Sequence, residues 1–197
     1  MATAKELHSA FQHNYYLFRR KVFKLFGGAF HIYDENRNLL LYSKQKAFKL
    51  REDFRVYSDK RQMEELLTIK TPQILDISAT YNVQDAATGE VIGAIRRKGR
   101  KSIVKDEWIF LSSEGREIGR LTETSLARAL LSRFIKLVPQ RYIIVSADGR
   151  KIVEIRRHFN PFVLKYSMTI VEAEPSIDRR LLISSGIMLA GIEQRQQ

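Results

Sequence analysis

The feature that most restricts the fold is an uncharged segment near the C-terminus, at residues 181–192. A helix formed by this segment would be apolar on every side, and such a helix must be buried in lipid or in protein. Twelve residues span about 18 Å, whereas the hydrocarbon core of a bilayer is about 30 Å thick. We therefore predict a structural helix in the protein core rather than a membrane anchor, opened by Pro175 and capped by Ser176. Its large apolar residues are Leu181, Leu182, Ile183, Ile187, Met188, Leu189 and Ile192.

Alternation of apolar and polar residues with a period of two indicates β-strands that could surround this helix. The alternation is clear at residues 77–84 and again at 162–170, where Phe162 begins the apolar set. This period places the apolar side chains on one face of a β-strand. Further strands are predicted at residues 16–26, 30–33, 39–42, 47–50, 54–58, 63–70 and 91–96.

Short sequences rich in Asp, Asn and Gly separate these strands. They lie at residues 34–38, 87–90, 114–116 and 148–150. Such residues favour the backbone conformations of tight hairpin turns. The recurring unit of strand, turn and strand predicts a mainly β chain that forms a closed antiparallel barrel of about twelve strands. We expect this single barrel domain to cover residues 15–197, after a short N-terminal tail at 1–14, and to enclose the apolar C-terminal helix.

One further segment departs from the strand pattern. Leu126, Leu130 and Phe134 recur at helical spacing, and Thr124 or Ser125 is a suitable N-cap. We predict a crossover helix that packs on the outside of the barrel or over one of its mouths.

The composition indicates a cysteine-free protein with a strongly basic charge balance. Of 197 residues, 44% are hydrophobic and 28% are charged, which excludes a disordered chain and a membrane bundle. The absence of cysteine excludes disulfides, thiolate catalysis and Cys-ligated zinc. Residues 1–14 show no signal-peptide pattern, so we expect a cytoplasmic protein without a transmembrane span. The net charge of +12 suits nucleic acid or anionic lipid as a partner, although it would also serve solubility alone.

Residue patterns typical of catalysis or metal binding are lacking. The four histidines are not spaced with carboxylates as metal ligands, and no GxSxG sequence occurs. Residues 93–102 loosely resemble a phosphate-binding loop. However, five residues separate the two glycines, and the segment joins two predicted strands instead of opening a helix. We expect no catalytic residue, no metal site and no cofactor, and a protein that is not an enzyme.

The densest basic run lies at residues 96–105, with Gly99 at its turn. Backbone amides in such a turn can help to hold a phosphate, so we predict a lipid headgroup-binding site here. The alternative is a solvated turn whose charges protect a strand edge from aggregation. Basic pairs at 19–21, 156–157 and 179–180 would extend the site if they share its face. The candidate residues are Arg96, Arg97, Lys98, Arg100, Lys101 and Lys105.

Two sequence patterns point to a known family. The first is Tyr81-x-Val83-x-Asp85-x-x-Thr88-Gly89-Glu90-x-Ile92-Gly93-x-Ile95-Arg96, followed by Trp108-Ile109-Phe110. The second is the terminal segment from Arg179-Arg180-Leu181-Leu182 through Gly186 to Gly191-Ile192-Glu193. In this order, over residues 16–193, the chain resembles the phospholipid scramblase-related and LURP-one-related proteins, which share a fold with the tubby C-terminal domain.

The resemblance implies a twelve-stranded barrel threaded by the helix, and binding to membrane phosphoinositides or another association with lipids. The acidic calcium segment and the cysteine cluster of the scramblases are not reproduced, since residues 161–173 contain only Glu172 as an acid. We therefore do not expect calcium-driven lipid scrambling. The favoured hypothesis is a non-enzymatic module for anionic phospholipid headgroups, peripheral at a membrane. A nucleic-acid-binding module and a protein-interaction scaffold are the alternatives.

Overall fold

Twelve strands and one C-terminal helix make up the fold in the part of the chain that the structure describes. A computed structural model describes residues 6–21, 28–45, 53–71, 80–98, 107–124, 140–160, 162–173 and 175–192. The strands are β1 Tyr15–Lys21, β2 Ala29–Tyr33, β3 Leu39–Gln45, β4 Asp53–Tyr57, β5 Glu65–Lys70, β6 Thr80–Asp85, β7 Val91–Arg97, β8 Glu107–Ser112, β9 Glu117–Glu123, β10 Arg141–Ser146, β11 Lys151–His158 and β12 Val163–Ile170, and the helix is α1 Arg179–Ile192.

The strands form a closed antiparallel barrel in which each strand pairs with its neighbours in the chain. Pairing of β1 with β12 closes the barrel, with Tyr15 opposite Thr169 and Lys21 opposite Val163. Closure satisfies the backbone groups that an open sheet would expose at its edges. The predicted fold, a closed barrel of about twelve strands with a C-terminal helix, is confirmed.

The two ends of the barrel differ in the connections that they carry. The tight-turn end carries the hairpin turns at 34–38, 58–64, 86–90, 113–116 and 147–150. Its glycines Gly89, Gly115 and Gly149 have φ angles of 73°, 80° and 86°, in the left-handed region that glycine adopts without penalty. At the opposite end, which we call the long-connection end, β1, β3, β5, β7, β9 and β11 finish, and the short connection from β11 to β12 lies there.

Helix α1 lies in the lumen and forms the centre of the core. Every residue from Leu181 to Ala190 is buried, and its large apolar side chains belong to the same cluster as those of the strands. Close approach is possible because the helix carries small residues. A Cβ added to Gly186 would lie only 2.5 Å from Cζ of Phe18. Among the described residues, no helix combines the length and the apolarity that a membrane crossing requires.

The start of the helix differs from the prediction. Helix α1 begins at Arg179, and Asp178 caps it in place of Ser176. Oδ1 of Asp178 accepts a hydrogen bond from N–H of Arg180 at 2.8 Å, and its backbone oxygen accepts one from Leu182 N–H at 3.1 Å. A carboxylate is favoured here because it also faces the positive end of the helix dipole.

Two more differences concern the ends of elements. Phe162, predicted to face the core, is 64% exposed because β12 begins one residue later. Near the N-terminus, a 3₁₀ turn at Ser9–Phe11 buries Ala10 and Phe11 against the barrel core, and Tyr16 Oη donates a hydrogen bond to the Ala10 carbonyl at 3.2 Å. The predicted strand at 47–50, the predicted helix at 126–134 and the side chain of Ile192 lie outside the described part of the chain.

Candidate functional site

The predicted basic run is divided by strand geometry. Arg96 and Arg97 are consecutive in β7, so they point to opposite faces of the sheet. Arg97 lies on the lumen side, with its guanidinium 5.6 Å from the ring centroid of Trp108. Arg96 lies on the outer face opposite Ile109, which forms a small buried cluster with Ala94 and Leu111.

The next cation of the run is neutralised by a neighbouring strand. Lys98 Nζ lies 3.0 Å from Oε2 of Glu107, at the start of β8. The remaining predicted site residues, Arg100, Lys101 and Lys105, lie outside the described part of the chain. In the described part, alternation therefore separates Arg97 from Arg96 and Lys98, and Lys98 is paired with Glu107.

The basic pairs that were expected to extend the run are also divided. Arg20 is 8% exposed and points into the lumen, whereas its neighbour Arg19 is exposed on the outer face. Arg157 shares the lumen side with its cross-strand partner Tyr166 and donates to Oε1 of Gln140 at 2.7 Å. Arg156, one residue earlier, is exposed.

Arg179 and Arg180 hold the tight-turn end together and do not join an outer surface. Arg179 donates hydrogen bonds to the backbone oxygens of His13 and Ala173, at 2.8 and 3.0 Å. Arg180 pairs with Asp178 at 2.7 Å and with Asp85 at 3.1 Å. These two arginines therefore attach the helix start to the N-terminal segment and to the end of β6.

A different group of cations meets on the outer face of the barrel. We call Arg19, Arg141, Arg156 and Lys165, with His158 among them, the cationic band. Arg141 lies directly opposite Arg156, and Lys165 lies between Arg19 and His158. At about 4.8 Å between neighbouring strands, the four strands β10, β11, β12 and β1 make the band about 15 Å wide.

Among the described residues, the charge of the cationic band is not compensated locally. None of its four Lys and Arg side chains forms a salt bridge with a carboxylate in the part of the chain that the structure describes. The acid nearest along the strand, Glu154, is bound by Lys151 at 2.5 Å. Like charges directly opposite each other in a sheet are destabilising, which marks the Arg141–Arg156 pair as costly for the free protein.

The pKa of His158 reflects its burial and the positive charge of its neighbours in the band. Burial lowers the pKa of His158, and the charges of Lys165 and Arg156 lower it further. Its Nε2 lies 2.8 Å from Oγ of Ser167. The charged groups that act on this ring in the described part of the chain are the cations Lys165 and Arg156. Within the described ranges, no group of three or more acidic or histidine side chains is placed to hold a metal ion.

Sequence reasoning missed the cationic band because its members are far apart in the chain. Alternation could have placed each of Arg19, Arg141, Arg156 and Lys165 on the outer face. Only the strand register brings positions 19, 141, 156 and 165 together.

The fold defines a class of proteins, the closed antiparallel barrels that enclose their own C-terminal helix. Residues 39–190 match the family model of the LURP-one-related proteins. The chain therefore belongs to the LURP-one-related family. The match runs from the first residue of β3 to near the end of α1. A comparison with curated proteins found no match.

Proposed function

We propose that this barrel is a non-enzymatic module that binds anionic phospholipid surfaces, phosphoinositides included, through its cationic band. The observation that supports this most directly is the set of four cations on adjacent strands without a described carboxylate partner. An anionic surface would relieve their mutual repulsion. In this proposal the protein is peripheral at the cytoplasmic face of a membrane.

The number of cations sets the scale of the affinity. Each Lys or Arg near an anionic membrane contributes about 1 kcal/mol, so four contribute about 4 kcal/mol. That corresponds to a Kd of about 1 mM, which is too weak for stable attachment. Arginine adds directed hydrogen bonds, because its planar guanidinium can bind two phosphate oxygens at once. Three of the four cations are arginines, which favours a phosphorylated headgroup over diffuse attraction.

Family membership is compatible with this function. The relationship to tubby and scramblase-related domains, which the sequence resemblance implies, adds phosphoinositides to the proposal as the headgroup class. The basic run at 96–101 is retained as a second contact, since Arg96 shares the outer face of the barrel. It is separated from the cationic band by β8 and β9, which carry Glu107 and Glu117.

Cosedimentation with lipid vesicles tests the proposal. The wild type is compared with Arg141→Glu/Arg156→Glu, using vesicles of neutral lipid, of phosphatidylserine and of a phosphoinositide at matched charge. Lys60→Glu/Arg61→Glu is the control, because it changes net charge equally in an exposed turn at the tight-turn end. We expect binding to anionic vesicles that falls at least tenfold in the first variant and changes little in the control. A third variant, Arg96→Glu/Lys98→Glu, measures the contribution of the outward-facing part of the predicted run and leaves Arg97 in the lumen intact.

The response to salt separates the possible outcomes. Attraction to any anionic surface weakens steeply with salt, because exposed charges are screened within about 8 Å at physiological ionic strength. A headgroup site would prefer one phosphoinositide and keep part of its affinity. If the band variant and the control lose affinity for anionic vesicles to the same extent, the band is not the binding site. Absence of vesicle binding, with salt-sensitive DNA binding under the same conditions, would favour the nucleic-acid alternative.

A further inference from the structure

Two aromatic side chains are exposed at the long-connection end, beside the cationic band. Phe159 and Phe162 are 65% and 64% exposed in the connection between β11 and β12. The turn is held by Asn160, whose Oδ1 accepts hydrogen bonds from N–H of Phe162 and Val163, both at 2.9 Å. These two hydrogen bonds restrain the backbone at Phe162 and at the start of β12, from which the ring of Phe162 projects.

Phe159 and Phe162 lie in the turn between β11 and β12, two of the strands that carry the cationic band. His158 lies opposite Lys165, and this is the last pair of β11 and β12 before the turn. Arg156 lies two residues before His158 on the same outer face, and Arg19 lies opposite Lys165. Two exposed phenylalanine side chains thus lie next to the cationic band. Among the described residues, no carboxylate pairs with its four Lys and Arg side chains.

Charge balance distinguishes this turn from the tight-turn end. Other large exposed apolar residues, Met63, Val91 and Val171, lie at the tight-turn end. The turn around Met63 carries Asp59 and Glu64 beside Lys60 and Arg61, so its net charge is zero. Beside Phe159 and Phe162, exposed apolar surface lies next to cations for which the described residues supply no carboxylate partner. That combination suits an anionic bilayer interface.

We propose that Phe159 and Phe162 insert into the interface of an anionic bilayer while the cationic band contacts the headgroups. This inference rests on the proposed function and adds an orientation: the long-connection end faces the membrane. Interfacial membrane-binding elements bury Phe side chains at the boundary between headgroups and acyl chains. Burial of the rings there adds affinity that salt does not screen. Charge and insertion together supply the two signals that stable attachment requires.

Removal of the rings tests the insertion. In Phe159→Ala/Phe162→Ala, binding to phosphatidylserine vesicles should weaken by about tenfold or more, since burying one phenyl side chain contributes roughly that factor. The factor of the loss should be similar at low and at high salt, because salt does not screen the apolar contribution. Phe159→Trp/Phe162→Trp should retain binding, and Met63→Ala should leave it unchanged. All three variants alter exposed positions, and near-ultraviolet circular dichroism verifies that each is folded.

A fluorescent label gives a second measurement that does not depend on affinity. The chain has no cysteine, so Phe159→Cys carries a single thiol for an environment-sensitive nitrobenzoxadiazole label. On anionic vesicles, its emission should shift to shorter wavelength and be quenched by lipids spin-labelled in the acyl chain. The same label on Met63→Cys should show neither change.

The outcomes distinguish this inference from the proposed function. If the alanine variant binds like wild type and the label at position 159 stays in water, insertion is wrong, whereas loss of binding in Arg141→Glu/Arg156→Glu would still support the band. If the label at position 63 is quenched instead, the orientation is reversed. If the wild type binds no anionic vesicle, both proposals fail. Self-association that the alanine variant abolishes, without vesicle insertion, would assign the rings to a protein interface.

Discussion

At the scale of single residues, consecutive cations in this chain have different roles because strands alternate. Arg19 and Arg156 face outward into the cationic band, whereas Arg20 and Arg157 face the lumen. Two consecutive basic residues in a strand of a β-barrel therefore do not both add charge to its outer surface. The feature that identifies the band is the meeting of outward-facing cations across strands.

His158 offers a residue-scale test of binding. Its pKa lies below the ordinary value of 6.5, first because of burial and then because of Lys165 and Arg156. Protonation is therefore less favourable in the folded than in the unfolded protein, and folded stability falls as the pH drops through and below 6.5. An anionic surface on the band should reverse the effect of the neighbouring charges, so we expect the pKa of His158 to rise on binding.

Nuclear magnetic resonance of the imidazole Cε1–H signal, followed against pH with and without anionic bicelles, measures this change. Lys165→Gln should raise the pKa in the free protein by removing one of the two cations, and it is the control for the electrostatic cause. An unchanged or lower pKa in the presence of bicelles would place the lipid elsewhere.

At the scale of secondary-structure elements, helix α1 is held at both ends by arginines. Arg180 and Asp178 lie at its start, and Arg20 of β1 lies at its end. Nη1 of Arg20 is 3.4 Å from the Gly191 carbonyl and 3.5 Å from that of Ala190, and its Cζ is 4.9 Å from the Phe30 ring centroid. A cation in this position compensates the negative end of the helix dipole and the unpaired carbonyls of the last turn.

Substitution of Arg20 by methionine should therefore destabilise the barrel. The variant keeps most of the apolar stem but leaves helix carbonyls buried without a donor, which costs about 1–3 kcal/mol. Arg19→Met, one residue away on the outer face, should change the free energy of unfolding by less than about 0.5 kcal/mol. Urea denaturation of both variants measures the difference. Equal stability in the two would mean that Arg20 does not support the helix end.

At the scale of the whole molecule, the barrel and its helix share one apolar core, so we expect them to unfold as one cooperative unit. The strands supply the wall and α1 fills the lumen, so neither part can bury its apolar surface without the other. Burial of one Leu or Ile side chain contributes about 1.5–3 kcal/mol. Several of them together exceed the total stability of a typical domain, about 5–15 kcal/mol.

Truncation before Leu181 should consequently abolish folding altogether. A chain that ends at Ile192 retains the whole described helix and is the control, which we expect to fold. Near-ultraviolet circular dichroism and size-exclusion chromatography report on both. A monomeric truncated chain with an intact near-ultraviolet spectrum would show that the helix is dispensable for the core.

Much of the architecture could be predicted because it follows from local pattern. Alternation predicted a strand at 162–170, and the observed strand is Val163–Ile170. Gly89, Gly115 and Gly149 marked turns in which they adopt a positive φ. The exact ends were less accessible: Asp178 caps the helix in place of Ser176, and Phe162 lies just before its strand. Such boundaries depend on packing against neighbours, which a single strand or helix does not encode.

By itself, the sequence determined the class of fold, because a short helix without a polar face needs an enclosing wall and repeated alternation provides one. It also determined the excess of positive charge. Only the tertiary structure decided where that charge acts. Residues at positions 19, 141, 156 and 165 become neighbours through barrel closure and strand register. Register depends on interactions between distant segments, so no local pattern in the chain specifies which outward-facing cations will meet.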